Sequence, residues 1–388
     1  MSKKKTLGVG IVGCGNISTI YMLNMGRFAG LKLIACADVR EDAAKAQASK
    51  HGIAARSIDG LLASDDIDVI VNLTVPTAHF EVGQAALKAG KHVFGEKPIT
   101  VEAAHAAKLV AEADKRGLKI GCAPDTFLGA GGRLAREILD SGRIGKVLSG
   151  TCFLMSHGAE HWHPDPTFFY KYGGGPILDM GPYYFAALVN LLGPVSHVQA
   201  VSSTGFVQRT VTSKGPMTGK KIKVDVATHV SALVHFEGGA DILFTMSWDV
   251  WKHGHPPIEL YGTEGSLRVP DPNFFGGVVE YTEKGGDWIG VTADDKPFGK
   301  PNWSSPNWPP GTPPRANYRC LGIADLASSV LHGTPQRASG AVASHVLEAM
   351  HACITAGATG KTVKLKSRID RPTALKDKDA AKLWVGDV

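Results

Sequence analysis

A chain of 388 residues with 44% hydrophobic content is long enough to bury two cores rather than one. Its 42 Lys and Arg against 36 Asp and Glu leave a net charge of +6, and the longest basic run is Lys3-Lys4-Lys5, so nucleic acid is not implied as a partner while an anionic substrate is permitted. The six cysteines, at positions 14, 36, 122, 152, 320 and 353, form no Cys-x-x-Cys and lie mostly in apolar runs, which suits buried thiols in a reducing, cytoplasmic compartment.

The first third alternates strand and helix signals. Leu7 to Val12 is a short run that is apolar on both faces, followed by Gly13-Cys14-Gly15-Asn16-Ile17-Ser18 and a helix-like segment through Phe28. Three lysines, an apolar run and Cys14 superficially match a lipid-attachment signal, but the run is short and glycine-rich and continues into another pattern, so export is set aside. No stretch has the apolar length to span a bilayer, and no membrane partner is expected. Strand, glycine turn and helix is the order of a dinucleotide site: Gly13 allows the tight turn, and Gly15 lets a pyrophosphate approach the backbone and the helix N-terminus. Ser18 stands where a third glycine is usual and is small enough for helix and strand to pack. The next strand, Leu31 to Ala37, ends in Asp38, placed to hold an adenosine ribose and to repel a 2'-phosphate, which favours NAD over NADP. Arg40 pulls the other way, because a guanidinium there stacks on adenine or pairs with that phosphate. Asp38 also reads as an N-cap for a helix over Glu41 to Ser49.

Val69 to Leu73 is a buried strand ending at Thr74-Val75-Pro76, and Thr77 to Ala89 is a helix closed by Gly90. A strand over His92 to Phe94 then presents Gly95-Glu96-Lys97-Pro98, a carboxylate and an amine side by side before a proline that stops further pairing. Chemistry at that edge is one reading of the pair; a surface ion pair is the other. Thr100 caps a helix to Arg116, and Lys119 to Ala123 is a short strand, with Asp125 just beyond it. Strands separated by helices require right-handed crossovers and a parallel sheet. Gly13, Asp38, Thr74 and Glu96-Lys97 all fall at carboxyl ends of these strands, where such sheets bind ligands.

The middle changes character. After a helix over about Gly131 to Leu139, the spacing becomes that of antiparallel strands: Lys146 to Met155, Val195 to Ser203, Asp225 to His235, Ala240 to Trp248, Ile258 to Tyr261, Ser266 to Val269 and Val278 to Tyr281, with a hairpin turn at Glu237-Gly238-Gly239. An open sheet of roughly six strands is expected. Two long loops interrupt it, Ser156 to Pro182 and Asp287 to Arg319, of the kind that serve as lids, binding segments or subunit interfaces. In the first, His157, His161 and His163 lack the cysteine or paired carboxylate that completes a metal set, so no metal is expected. Hydroxyl contacts from His161 and His163, with Trp162 stacking, fit better. Gly173-Gly174-Gly175 opens a helix to Leu192 that puts Asp179 and Tyr183 on one face. They either bind a diol or relay a proton, or they cap and pack. Helices over Arg319 to Leu331 and Ala341 to Ala356 close the chain, the second with an apolar stripe for packing.

Gly13-Cys14-Gly15-Asn16-Ile17, Asn72 to Pro76 with His79, Gly90-Lys91-His92-Val93 into Glu96-Lys97-Pro98, Gly145, Gly173 to Asp179 and Gly262-Thr263-Glu264-Gly265-Ser266 occur in an order that resembles the Gfo/Idh/MocA family, relatives of glucose-fructose oxidoreductase and inositol dehydrogenase. The resemblance covers nearly the whole chain. It implies an α/β protein with an N-terminal Rossmann domain, set here at 1–125, and a C-terminal α/β domain, 126–388, with a large, open, mostly antiparallel sheet used for homodimer or homotetramer contacts. It further implies a nicotinamide cofactor working on a small carbohydrate or cyclitol, with Lys97 catalytic and Asp179 beside the reacting hydroxyl. Cofactor contacts then fall on Gly13 to Ile17, with Cys14, Gly15 and Asn16 between them, on Asp38 and Arg40, on Thr74, Pro76 and His79, on Glu96 and Lys97, and on Trp162. Substrate contacts fall on Lys97, Asp125, His161, His163, Asp179 and Tyr183, while Arg133, Lys171, Arg315, Asn317 and Tyr318 are placed to reach an acidic sugar.

One departure matters. Many members have histidine four residues after that aspartate, where this chain has Tyr183, and an unperturbed phenol is a poor base. Either the positive charge of Lys97 lowers the phenol's pKa so that Tyr183 can take the proton, or Lys97 with Asp179 handles it and Tyr183 only binds, the reading preferred here. The expected activity is reversible hydride transfer between a secondary hydroxyl and NAD; the alternative is an NAD-dependent glycosidase that oxidises, eliminates and re-reduces with the cofactor bound.

Overall fold

The computed structural model describes residues 5–304 and 311–386; Lys3, Lys4 and the 305–310 stretch of the second expected loop lie outside the described residues. Contact density divides the chain into two compact units, one of Met1–Gly129, Tyr318–Ser344 and Thr373–Val388, the other of Ala130–Asn317 and His345–Pro372. The division differs from a single cut after residue 125, because two later segments return to the first unit.

In the first unit the chain runs β1 (Leu7–Val12), α1 (Ser18–Met25), β2 (Leu31–Ala37), α2 (Glu41–His51), β3 (Ala54–Ala55), α3 (Ile58–Ala63), β4 (Val69–Asn72), α4 (His79–Lys88), β5 (His92–Gly95), α5 (Ala103–Lys115) and β6 (Ile120–Cys122). The strands form a six-stranded sheet in the order β3-β2-β1-β4-β5-β6, and every pair is parallel. All six residues of β1 are buried, as a strand paired on both sides and covered on both faces requires. This is the Rossmann arrangement, with its switch in strand order between β1 and β4. Two expected caps are corrected. Arg40, not Asp38, occupies the N-cap of α2, because the Asp38 carboxylate is drawn back to the glycine turn. Glu102 occupies the N-cap of α5, and the Thr100 hydroxyl donates to the Glu102 carbonyl (2.7 Å) instead of capping.

The second unit begins with α6 (Ala130–Asp140) and continues through β7 (Val147–Met155), α7 (Gly175–Leu192), β8 (Val195–Ser203), β9 (Gln208–Thr210), β10 (Lys221–Lys223), β11 (His229–Phe236), β12 (Asp241–Ser247), β13 (Ile258–Gly262), β14 (Gly265–Val269), β15 (Val278–Glu283) and β16 (Ile289–Thr292). Along the chain there follow α8 (Leu321–His332) and α10 (Asp377–Lys382), which belong to the first unit, and between them α9 (Gly340–Thr359), most of it in the second unit, and β17 (Val363–Lys364). Among the described residues the large sheet has nine strands, ordered β16-β15-β14-β13-β7-β12-β11-β8-β17. Its only parallel pair is β7 with β12. The sheet exceeds the expected six strands because β16 hides in a Trp- and Pro-rich stretch and β17 is two residues long, too short to show alternation. Along β11, Val230, Ala232 and Val234 are buried while Leu233 is exposed, the one-faced burial expected of an open antiparallel sheet.

Within the first unit, residues 336–339 finish the sheet beyond β6. Cys122 N–H donates to the Ala338 carbonyl (3.2 Å), Gln336 Nε2 donates to the Ile120 carbonyl (3.0 Å), and Gly121 bridges to Ser339. An otherwise open edge is thereby covered.

Candidate active site

The turn from β1 into α1 is built by two glycines with different tasks. Gly13 has φ +102°, and a Cβ there would lie 2.6 Å from the Leu73 carbonyl oxygen and 2.8 Å from Thr74 N, so the end of β4 can approach only a residue without a side chain. Around Gly15 a Cβ would meet nothing within 4 Å. That open space lies before α1, whose N-cap residue Ile17 supplies no side-chain cap; the Ser18 N–H is taken by the Gly15 carbonyl (3.1 Å), and the positive end of the helix dipole favours an anion in that space. Ser18 fills the third small position: it is fully buried, and its hydroxyl donates to the Gly15 carbonyl (2.6 Å). Cys14 is buried and Asn16 exposed.

Asp38 closes this turn. One carboxylate oxygen accepts the Cys14 N–H (2.7 Å), the other the Arg40 N–H (2.8 Å). Each oxygen keeps a further lone pair, and the charge stays where a ribose diol is read. The Arg40 side chain is 68% exposed, with Nε 4.0 Å from the carboxylate.

At the end of β4, buried Asn72 shapes the next loop. Its Oδ1 accepts the Thr74 hydroxyl (2.6 Å) and its Nδ2 donates to the His79 carbonyl (3.1 Å); Pro76 begins a single 3-10 turn. His79 is 2% exposed, its Nδ1 lying 2.6 Å from the Pro98 carbonyl and its Nε2 3.1 Å from the Thr74 carbonyl. Burial pushes its pKa down. Both ring nitrogens therefore face backbone carbonyls of the loops on either side.

At the end of β5, Glu96 is held from both sides. Its Oε1 accepts the hydroxyl of fully buried Tyr21 (2.7 Å), and its Oε2 accepts the Lys97 N–H (2.9 Å). Burial drives the Tyr21 phenol well above its ordinary range, so it stays a donor. Glu96 and Lys97 are half-buried. The other lysine of this stretch, Lys91, is 9% exposed and donates to the Ser64 (2.6 Å) and Ile67 (2.9 Å) carbonyls, a structural staple. Asp125 is 1% exposed; burial raises its pKa to about 6, and its carboxylate accepts the Gly322 N–H at the start of α8 (2.8 Å).

In the second unit, Asp179 and Tyr183 lie one turn apart on α7, Asp179 half-buried and Tyr183 buried. The segment before α7 carries exposed His161, half-buried His163 and Trp162, 45% exposed. Trp162 meets His163 and Phe169 edge to face, and His163 Nδ1 accepts the Asp165 N–H (3.2 Å). Lys171 pairs with Asp225 (2.6 Å). Sequence reasoning missed what fixes this segment. Buried Arg209 binds Glu160 (2.8 Å), Asp249, and the His157 (3.1 Å) and Trp248 (2.8 Å) carbonyls, while the Tyr170 hydroxyl donates to Glu160.

Two stretches of the chain match separate family descriptions: residues 7–123 the oxidoreductase family with NAD-binding Rossmann fold, and residues 133–268 the GFO/IDH/MocA C-terminal domain. The dTDP-3,4-didehydro-2,6-dideoxy-alpha-D-glucose 3-reductase of Streptomyces violaceoruber is 31% identical over 276 residues, 68% of this chain and 73% of that protein. The chain belongs to the Gfo/Idh/MocA oxidoreductase family. Another relative, the inositol 2-dehydrogenase of Rhizobium meliloti (strain 1021), is 26% identical over 291 residues, 72% of this chain and 85% of that protein. Among solved structures, a levoglucosan dehydrogenase in complex with NADH and L-sorbose superposes with a TM-score of 0.78 at 20% identity, over 94% of this chain and all of that one, a likeness of fold. As a Gfo/Idh/MocA member the chain carries an NAD-binding Rossmann domain, and the glycine turn, the α1 terminus without a side-chain cap and Asp38 fit that cofactor. Among the described residues no helix is long and apolar enough to cross a membrane.

Proposed function

We propose that the protein is an NAD-dependent dehydrogenase of a secondary hydroxyl on a sugar, cyclitol or related polyol. The observation that carries this reading is the convergence of the glycine turn, Asp38, the Asn72-Thr74 loop and Glu96-Lys97 on the carboxyl ends of β1, β2, β4 and β5. The named activities of the relatives, on a deoxysugar nucleotide and on inositol, support a polyol-like substrate.

NAD, when bound, supplies the hydride acceptor or donor. Gly13 lets the end of β4 close on the turn and Gly15 leaves room for its pyrophosphate, the α1 N-terminus favours the anion, and Asp38 accepts from its ribose. Lys97 holds the reacting hydroxyl of the substrate and exchanges its proton, while Asp179 and Tyr183 are assigned, from the family resemblance, as residues that bind substrate hydroxyls. Trp162 and His161 or His163 contribute stacking and hydrogen bonds to the substrate's remaining hydroxyl-bearing face. Homodimers or homotetramers form through the open face of the nine-stranded sheet, which exposes Leu148, Val201, Leu233 and Leu243, an apolar area of the kind that marks an interface. Six buried free cysteines suit a cytoplasmic location.

The test is incubation of the protein and NAD with a panel of sugars, cyclitols and aryl glycosides. Steady NADH formation with a sugar or cyclitol is expected. Aglycone release without accumulating NADH would replace this reading with the redox-neutral glycosidase.

A further inference from the structure

A neutral imidazole has one N–H and one lone pair, yet buried His79 faces a carbonyl oxygen with each ring nitrogen, at 2.6 Å (Pro98) and 3.1 Å (Thr74). Burial holds the ring toward its neutral form, so a single proton serves two acceptors. The shorter contact takes it, and Nδ1–H donates to the Pro98 carbonyl.

That carbonyl sits one residue beyond Lys97. Before Lys97 the chain is tied by the Glu96 N–H to the Asn72 carbonyl (2.9 Å) and by the Glu96 carboxylate to Tyr21 and to the Lys97 N–H. After Lys97, proline brings no N–H of its own, so the peptide must be tied through its carbonyl. His79 is in turn fixed by Asn72, whose Nδ2 accepts nothing and donates to the His79 carbonyl. We propose that His79 is a positioning residue for Lys97: the Nδ1–H donated to Pro98 sets the downstream end of the peptide that carries the Lys97 amine, as Glu96 and Tyr21 set the upstream end. The inference rests on the dehydrogenase reading for the role of Lys97. Misplacement of a reacting group by about 1 Å is enough to cost roughly a hundredfold in rate, so the loss of this tie acts on turnover and not on cofactor binding.

Asparagine and glutamine separate this role from packing. An amide on Asn places its N–H where His79 Nδ1 stands, whereas the longer Gln side chain places it nearer Nε2 and is closer to histidine in volume. The full-length His79→Asn, His79→Gln and His79→Ala proteins are compared with wild type for NADH affinity by fluorescence titration and for kcat and KM on a panel substrate, by NADH formation or by aglycone release. Expected are kcat within about threefold of wild type for His79→Asn, a loss of tenfold or more for His79→Gln and His79→Ala, and NADH affinity within threefold throughout. If His79→Ala fails to fold, the Asn and Gln pair carries the comparison alone. Turnover of His79→Gln equal to or above that of His79→Asn overturns the proposal, because packing alone ranks them that way. An effect confined to NADH affinity also overturns it. A wild type inactive in both assays overturns the dehydrogenase reading together with it, whereas an active wild type with indifferent variants removes only the positioning role.

Discussion

The sharpest test of the nucleotide turn is to add one methyl group at each of two positions two residues apart. At Gly13 an alanine must adopt φ +102° and place its Cβ 2.6 Å from both the carbonyl carbon and oxygen of Leu73. A non-glycine residue held in such a region costs about 1–3 kcal/mol, and because the obstructing atoms are backbone of β4's end they cannot swing aside, which adds an overpacking cost of roughly 1–3 kcal/mol. A total of at least about 2 kcal/mol lowers the melting temperature by roughly 4–8 °C for a unit of this size. At Gly15 the same methyl enters open space in the free protein, so Gly15→Ala should melt at or slightly above the wild-type temperature, since alanine also restricts the unfolded chain. The methyl then occupies the approach of the pyrophosphate, and NADH affinity should fall tenfold or more, about 1.4 kcal/mol. Differential scanning fluorimetry and NADH fluorescence titration read the two effects separately. A Gly15→Ala protein that loses stability, or that binds NADH like wild type, refutes the assignment of this turn; so does an unchanged melting temperature for Gly13→Ala.

Three further outcomes follow from the same structure. Lys97→Ala should keep NADH affinity and lose turnover by orders of magnitude, measured by NADH binding beside steady-state kinetics; near-normal turnover removes Lys97 from the mechanism. Arg209→Met leaves buried Glu160, and half-buried Asp249, without their cation, so urea denaturation should show a loss of about 3–5 kcal/mol; a loss under 1 kcal/mol would mean the network relaxes into solvent. His345, whose Nε2 accepts the Val195 N–H (2.9 Å), is pushed by burial down to about 4, below its unfolded value. The unfolded chain therefore takes up the proton first. Its stabilising contribution is complete above pH 6.5 and is lost as pH falls toward 4, by roughly 3 kcal/mol; denaturation midpoints of wild type and His345→Gln, compared from pH 7.5 to 4.5, should converge on acidification.

The nucleotide-binding half was legible because each signal there is local. β1, the glycine turn and α1 follow one another within nineteen residues, Leu7 to Met25, and apolar runs bounded by glycine or proline mark the strand ends where ligands bind. The features that escaped are those assembled across sequence. Glu160, Arg209 and Asp249 are about forty to fifty residues apart and share no spacing rule, while the three-residue strands β9 and β10 are too short to alternate. The caps expected at Asp38 and Thr100 failed because a short polar side chain beside a helix has several backbone partners in reach: Asp38 took a distant one, the Cys14 N–H, and Thr100 a local one, the Glu102 carbonyl.

Lys91 and Lys97 show where reading stops and geometry must take over. Lys91 immediately precedes β5 and Lys97 follows it after Glu96, and either amine would serve the same chemistry. The structure ties their amines and backbones differently. Lys91 enters β5 at its amino end, where the loop before β4 turns two carbonyls, Ser64 and Ile67, inward; satisfying those acceptors consumes the amine and offsets the cost of burying it. Lys97 leaves at the carboxyl end, between a carboxylate tied to a buried phenol and a proline whose carbonyl is tied to a buried imidazole. Ties of this kind fix the main chain on either side of the residue, and in a parallel sheet that end is where a substrate is met. The proline and the glutamate of the Glu-Lys-Pro string are therefore as informative as its lysine, because they are the handles by which the neighbouring strands hold it.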